Sequence, residues 1–334
     1  MKAGSMRLGI VSFAHMHAHS YAACLSALPD VTLVGVHDAD EPRGRQAAER
    51  YGTEFFGELE TLLDQSLDGV IVCTENVHHR FFVEACAERV KHILCEKPIA
   101  TTLEDARAMI GVCEQRGAKL QIALPVRFAP PVQQLKTLLD ENALGTVFSA
   151  SCTNHGRLPG GWFTDPKQAG GGAVMDHTVH VFDLLRWLLS TEVSEVYAEI
   201  SYGLLHPGLG TDDAGMLSFS LENGSYGTLD TSWSRPPNYP IWGDVKLELT
   251  GEKSSAHLDV FRQHLTLTST KEGTQYLGWG SSPDMGLVQD FLTMIRTDSE
   301  PSITGEDGLR ALEVTLAAYR SAEAGEVVKL EYKG

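Results

Sequence analysis

The chain has 334 residues, 43% hydrophobic and 21% charged, a composition that supports two folded domains or one large core. Its 27 Lys+Arg against 44 Asp+Glu leave a net charge of −17, which repels phosphate backbones and argues against nucleic acid as a partner. No apolar run reaches the roughly 20 residues of a membrane span, and the opening MKAGSMRLGI lacks a signal-peptide core, so no membrane partner and a cytoplasmic location are expected.

Up to residue 124, short β-branched runs alternate with amphipathic stretches. Strand patterns lie at Arg7–Val11, Thr32–His37, Gly69–Thr74, His92–Cys95 and Lys119–Ala123, and helical patterns at Ser20–Leu28, Glu41–Tyr51, Leu59–Gln65, His78–Glu88 and Leu103–Arg116. That alternation predicts βαβ units and a doubly wound parallel sheet covered on both faces. Six cysteines show no metal-like spacing and read as reduced core thiols.

From residue 125 to 334 the character changes. A helix at Pro131–Asn142 and a strand at Thr146–Cys152 precede a Gly-rich segment that launches an apolar helix, Ala173–Leu189. Alternating runs follow at Val193–Leu205, Asp213–Leu221, Ser225–Trp233, Asp244–Thr250, Ser254–Val260 and His264–Ser269, predicting a mostly antiparallel sheet of roughly six strands. Helices at Met285–Arg296 and Gly305–Ala324 and a strand at Val327–Tyr332 close the chain, with the last helix a candidate to pack back on the first domain.

Ligands of open α/β sheets bind where the first strand turns into its helix. Here that turn runs Gly9-Ile-Val-Ser12-Phe13-Ala14-His15-Met16-His17, with Ser12, Ala14 and His17 where a dinucleotide fingerprint carries glycines. Small side chains at Ser12 and Ala14 still admit a pyrophosphate at the helix N-terminus. Asp38, ending the second strand, is placed to accept from both adenosine ribose hydroxyls and to repel a 2′-phosphate, which favours NAD; Arg43 and Arg45 nearby leave NADP open. His15, His17 and His19 alternate, but no metal is expected there. They read as polar lining of the loop edge, with His15 nearest a cofactor.

Two further signals suggest catalysis. Lys97 follows the strand His92–Cys95 and points into such a cleft, with Pro98 fixing the bend. Asp176 and His180 are four apart on one helix face, so a carboxylate can orient an imidazole for general-base work. Asp183 offers an alternative orienting group, and His177 is read as lying off that face.

The combination of Cys95-Glu96-Lys97-Pro98 with Gly170-Gly171-Gly172, Asp176 and His180 resembles the glucose–fructose oxidoreductase / inositol dehydrogenase (Gfo/Idh/MocA) family, nearly end to end. The resemblance implies a Rossmann domain followed by an α/β domain whose open-faced sheet forms a homodimer or homotetramer interface. It also implies a cis Lys97–Pro98 peptide that aims the lysine, and a catalytic trio of Lys97, Asp176 and His180. Asn76 and Glu96 would lie beside the nicotinamide ribose, Thr74 and His79 near the cofactor, and Arg127 at the nicotinamide end. The implied reaction is hydride transfer between NAD(P) and a hydroxyl-bearing carbon of a sugar, cyclitol or polyol. His155, Arg157, Trp162, Phe163 and Tyr239 are the candidate substrate contacts, together with Trp233, Arg235 and Trp242. Two departures stand out: the altered phosphate loop, and Glu75 where the family has proline. The rival functions are a non-catalytic dinucleotide sensor and a dehydrogenase acting on a dihydrodiol or bilin-like substrate.

Overall fold

The computed structural model describes residues 5–262, 264–269, 271, 273–278 and 282–332. The chain divides into two compact units, Met1–Pro125 with Asp284–Leu309, and Val126–Pro283 with Arg310–Gly334. In chain order the first stretch holds β1 (Met6–Val11), α1 (His17–Ser26), β2 (Val31–His37), α2 (Glu41–Tyr51), β3 (Glu54–Phe56), α3 (Leu59–Leu63), β4 (Gly69–Val72), α4 (His79–Ala87), β5 (His92–Glu96), α5 (Leu103–Arg116) and β6 (Lys119–Ala123). Then come α6 (Pro130–Asp140), β7 (Val147–Arg157), α7 (Pro166–Ala169), α8 (Ala173–Leu189), β8 (Val193–Tyr202), β9 (Asp212–Leu221), β10 (Tyr226–Arg235), β11 (Gly243–Gly251) and β12 (Ser255–Asp259). The remainder is β13 (His264–Ser269), β14 (Gly273–Gly278), α9 (Pro283–Thr297), α10 (Gly305–Ala324) and β15 (Val328–Lys329).

In the first unit six parallel strands run in the order β3-β2-β1-β4-β5-β6, the doubly wound arrangement expected. Helices cover both faces, so the central strands are continuous apolar runs: Val70, Ile71 and Val72 in β4 and Ile93, Leu94 and Cys95 in β5 are buried. All six cysteines are buried free thiols. The three-residue strand β3 was not foreseen, because so short a segment carries no periodicity. Gly52 and Gly117 end α2 and α5 in the left-handed conformation that glycine adopts without a Cβ clash. The segment that returns to this unit is α9, the turn behind it and the first turn of α10, where Gly305 and Gly308 pack close to Ile110 and Ile122. Ile303 accepts from the Ile122 N–H at 3.0 Å and Thr304 bridges Gln121, which covers the β6 edge.

The second unit is built on a seven-stranded sheet ordered β12-β11-β7-β10-β9-β8-β15, with β13–β14 as a separate hairpin. The sheet is mostly antiparallel, as expected, with β7 and β10 paired in parallel. Helix α8 covers one face: its Val174, Val181, Phe182, Leu184 and Leu185 share a core with Leu217, Phe219, Leu229, Val245 and Leu247. The opposite face exposes Phe148, Met216 and Tyr226. Among the described residues no helix is long and apolar enough to cross a membrane.

Candidate active site

The β1–α1 turn keeps the backbone of a phosphate loop although its glycines are gone. Ser12 stands at φ 69°, in the left-handed region, and its N–H donates to His37 O at 2.6 Å. Its hydroxyl accepts from the Ala14 N–H at 3.1 Å, and the Phe13 N–H donates to the Asp38 carboxylate at 2.7 Å. Asp38 lies at the carboxyl end of β2 beside a hollow of about 800 Å³ lined by Ser12, Arg43, Thr74, Glu75, His78 and Phe82, among others. The hollow falls within the roughly 300–1,000 Å³ of small-molecule sites. Gly44, at the start of α2, sits so close that a Cβ there would lie 2.8 Å from that of Asp38. The retained left-handed turn and the hollow at the strand ends both fit a bound dinucleotide.

Behind the loop Glu96, the last residue of β5, is fully buried. It accepts from Tyr21 Oη at 2.6 Å and from the Lys97 N–H at 3.1 Å, lies 3.1 Å from His17 Nδ1, and has His15 Nε2 at 3.7 Å. Burial alone would raise the Glu96 pKa, but His15, His17 and Lys97 overcome it and hold the carboxyl well below the ordinary range. Burial likewise pulls His17 down, and Glu96 more than offsets it, leaving His17 raised. The donor atoms of His15, His17 and Glu96 gather within 4.8 Å, a composition compatible with a metal. The hydrogen bonding is that of proton donors around a carboxylate. His15 Nδ1 accepts from the His17 N–H at 3.2 Å, and its Nε2 is turned toward Glu96. His19 turns away to the Tyr51 hydroxyl, 3.1 Å from its Nδ1. Met16, at the N-cap of α1, is exposed.

Lys97 is buried directly after β5, and the Lys97–Pro98 peptide is cis, as the resemblance implies. His79, expected near the cofactor, is wholly buried and its Nδ1 donates to Pro98 O at 2.9 Å; it supports the bend that carries Lys97. Thr74 and Asn76, also buried, follow β4 at the same end of the sheet.

In the second unit, Asp176 and His180 lie one turn apart on α8. Asp176 Oδ2 accepts from Trp233 Nε1 at 3.2 Å and lies 3.2 Å from His177 Nε2, while His177 Nδ1 donates to Asn154 O at 3.0 Å. His177, read from the sequence as lying off this face, is thus a direct neighbour of the carboxylate. The helix itself is held at its N-terminus by Asp212, which no sequence signal marked. Its carboxylate accepts from the Gly172 N–H at 2.7 Å, the Val174 N–H at 2.8 Å and Tyr319 Oη at 2.8 Å.

Arg127, expected beside the nicotinamide, is buried and pairs in bidentate fashion with Asp183 at 2.8 and 2.5 Å, its guanidinium over the Trp187 ring. Asp183, considered as a second orienting group for His180, is therefore engaged by a cation. His155 departs most from expectation. Alternation along β7 puts Asn154 and Gly156 toward α8, where a Cβ on Gly156 would touch His177, so His155 points to the other face. There it meets Asp230 at 3.2 Å and Asp244 at 3.3 Å, beside the Arg235–Asp244 pair. Arg157, two residues on, follows the same alternation and reaches Pro237 O at 3.4 Å. Trp162 and Phe163 stack at 3.9 Å, and Tyr239 lies under the Arg235 guanidinium at 4.9 Å.

Two family models match the chain. Residues 6–124 match the oxidoreductase family model with the NAD-binding Rossmann fold, and residues 132–257 the GFO/IDH/MocA C-terminal domain. The chain is 27% identical to the myo-inositol 2-dehydrogenase of Thermotoga maritima over 98% of this chain and 99% of that one. It is 28% identical to the D-xylose 1-dehydrogenase [NADP(+)] of Haloarcula marismortui over 79% of this chain and 75% of that one. Among solved structures, GenD2 from gentamicin A biosynthesis, in complex with NAD, superposes with a TM-score of 0.89 at 24% identity, covering 99% of this chain and 98% of that one; at that identity it supports the fold alone.

Proposed function

The chain belongs to the GFO/IDH/MocA oxidoreductase family, with an NAD-binding Rossmann domain, and on that premise we propose that it interconverts a secondary alcohol and a ketone on a sugar, cyclitol or related polyol. The observation that carries this reading is the buried Lys97 closing β5 of the dinucleotide-binding unit, where a cation serves an oxygen that gains charge.

In the proposed reaction Lys97, Asp176 and His180 form the catalytic trio. His180 takes the proton of the substrate hydroxyl. Lys97 donates a hydrogen bond to the same oxygen and stabilises its developing negative charge. Asp176, which Trp233 and His177 hold in place, orients the imidazole and engages a neighbouring hydroxyl. When bound, the nicotinamide supplies the hydride acceptor or donor. Asn76 would lie beside its ribose and Thr74 near it, whereas Glu96, wholly buried among Tyr21, His15 and His17, is left out of that set. Trp162, Phe163 and Tyr239 are the proposed substrate contacts, since aromatic faces suit the mixed surface of a pyranose or cyclitol. His155 and Arg157 are left out of that set because alternation on β7 turns them from α8. We further propose that the exposed face of the second sheet pairs with a second copy of the chain.

The test is a panel of cyclitols, aldoses and sugar acids with NAD or NADP, followed at the reduced-nicotinamide absorbance. Lys97→Ala and His180→Ala should each lower turnover by about 10²–10⁴-fold while nucleotide affinity is kept. Near-normal turnover in both variants defeats the assignment.

A further inference from the structure

We propose that Arg43, rather than Asp38, reads the adenosine ribose, so that this chain accepts a 2′-phosphorylated dinucleotide about as well as the unphosphorylated one. The inference rests on dinucleotide binding by the first unit and adds which groups discriminate.

A carboxylate has about four lone-pair sites. Asp38 Oδ2 already accepts from the Phe13 N–H at 2.7 Å, Arg43 Nε at 2.8 Å and Ser12 Oγ at 3.3 Å. Its Oδ1 accepts from Arg43 Nη2 at 2.6 Å and the Asp40 N–H at 2.9 Å. Five donors therefore occupy the two oxygens, and the Asp38 side chain has 0% of its surface exposed. No acceptor position remains for two ribose hydroxyls unless Arg43 withdraws. The residue that would select against a 2′-phosphate is committed to the protein's own donors and neutralised by a guanidinium.

Arg43 is the group left to face a ligand. Its side chain is 30% exposed on the rim of the 800 Å³ hollow. Its Nη2 also lies 3.3 Å from Ser12 Oγ, which ties it to the loop that would carry the pyrophosphate. A guanidinium there can donate to a ribose hydroxyl and, more strongly, to a phosphate. Asp40, Glu41 and Glu75 border the same hollow, with Glu75 Oε1 3.8 Å from Arg43 Nη2. Their charge weakens the pull on a phosphate, so the outcome is tolerance of both cofactors and not a switch to the phosphorylated one.

The experiment is calorimetric titration of the full chain with NAD, NADP, AMP and 2′,5′-ADP, with no turnover required. The expected result is NAD and NADP dissociation constants within about tenfold of each other, and Arg43→Ala weakening NADP and 2′,5′-ADP by about tenfold or more while NAD and AMP change by less than about threefold. Arg43→Lys, which keeps the charge, should restore much of the NADP affinity and guards against a fold defect. A preference for NAD above about tenfold in the unaltered chain, or equal losses for both nucleotides in Arg43→Ala, overturns the proposal. Failure to bind any of the four would overturn the dinucleotide reading beneath it, a distinguishable result.

Discussion

Glu96 shows how one buried charge organises its neighbours. A carboxylate removed from water is tolerable only when donors replace its hydration, and here Tyr21, His17 and the Lys97 N–H do so. The same contacts make stability depend on pH. His17 has a folded pKa above its ordinary 6.5, because Glu96, with Asp284, outweighs burial and the repulsion of Lys97. A raised value means that the charged form is bound more tightly by the folded state. Its contribution is complete below about pH 6.5 and is lost as pH rises through the raised value. Thermal unfolding in buffers across that interval should show the melting temperature falling with rising pH, and His17→Gln should flatten the slope. An unchanged slope in His17→Gln would remove the pair as its source. At this scale the positions of Lys97 directly after β5 and of Asp176 and His180 one turn apart on α8 were legible, because strand ends and helical spacing define them. The partners of Glu96, the closeness of His177 to Asp176 and the capture of Asp38 by Arg43 were not, since they depend on which buried side chains meet across sequence separations that leave no periodic trace.

Helix α8 carries both second-unit members of the proposed trio, so what holds its N-terminus governs their placement. Its first turn exposes N–H groups that need acceptors, and Asp212, arriving from the start of β9, accepts two of them. The approach is close: a Cβ on Gly172 would fall 1.9 Å from Asp212 O, which explains why glycine stands there. Loss of such a capping carboxylate costs about 0.5–2 kcal/mol, and one kcal/mol shifts the melting temperature of a domain this large by about 2–4 °C. Asp212→Ala should therefore lower the melting temperature by a few degrees. It should also reduce kcat with little change in nucleotide affinity, because nothing in the first unit is altered. Wild-type kcat in a destabilised Asp212→Ala would show that the cap serves stability alone. The helix itself was readable to the residue from its 3.6-residue pattern, whereas β7 was cut short at Cys152. Its continuation through Asn154 and His155 alternates polar side chains between two faces, and an apolar count does not register that as strand.

For the whole molecule, the change from alternating βα units to a strand-rich second half was visible in composition, and with it the doubly wound parallel sheet, though neither its strand order nor β3 was. The parallel pairing of β7 with β10 was not visible, because it joins segments separated by α8 and two strands. That mixed sheet has one face under α8 and another that presents Phe148 at 49%, Met216 at 49% and Tyr226 at 62% exposure. Apolar side chains on an open sheet face gain by excluding water against a second copy, while a net charge of −17 on each chain opposes the encounter. The balance predicts an association that salt strengthens, since screening at about 0.1 M and above acts on the repulsion and leaves apolar burial intact. Light scattering behind a sizing column should give two or four chain masses, with the larger species surviving dilution better in high salt than in low salt. Met216→Lys together with Tyr226→Lys should yield a folded monomer. A monomeric unaltered chain at micromolar concentration in both low and high salt would refute the pairing of this face.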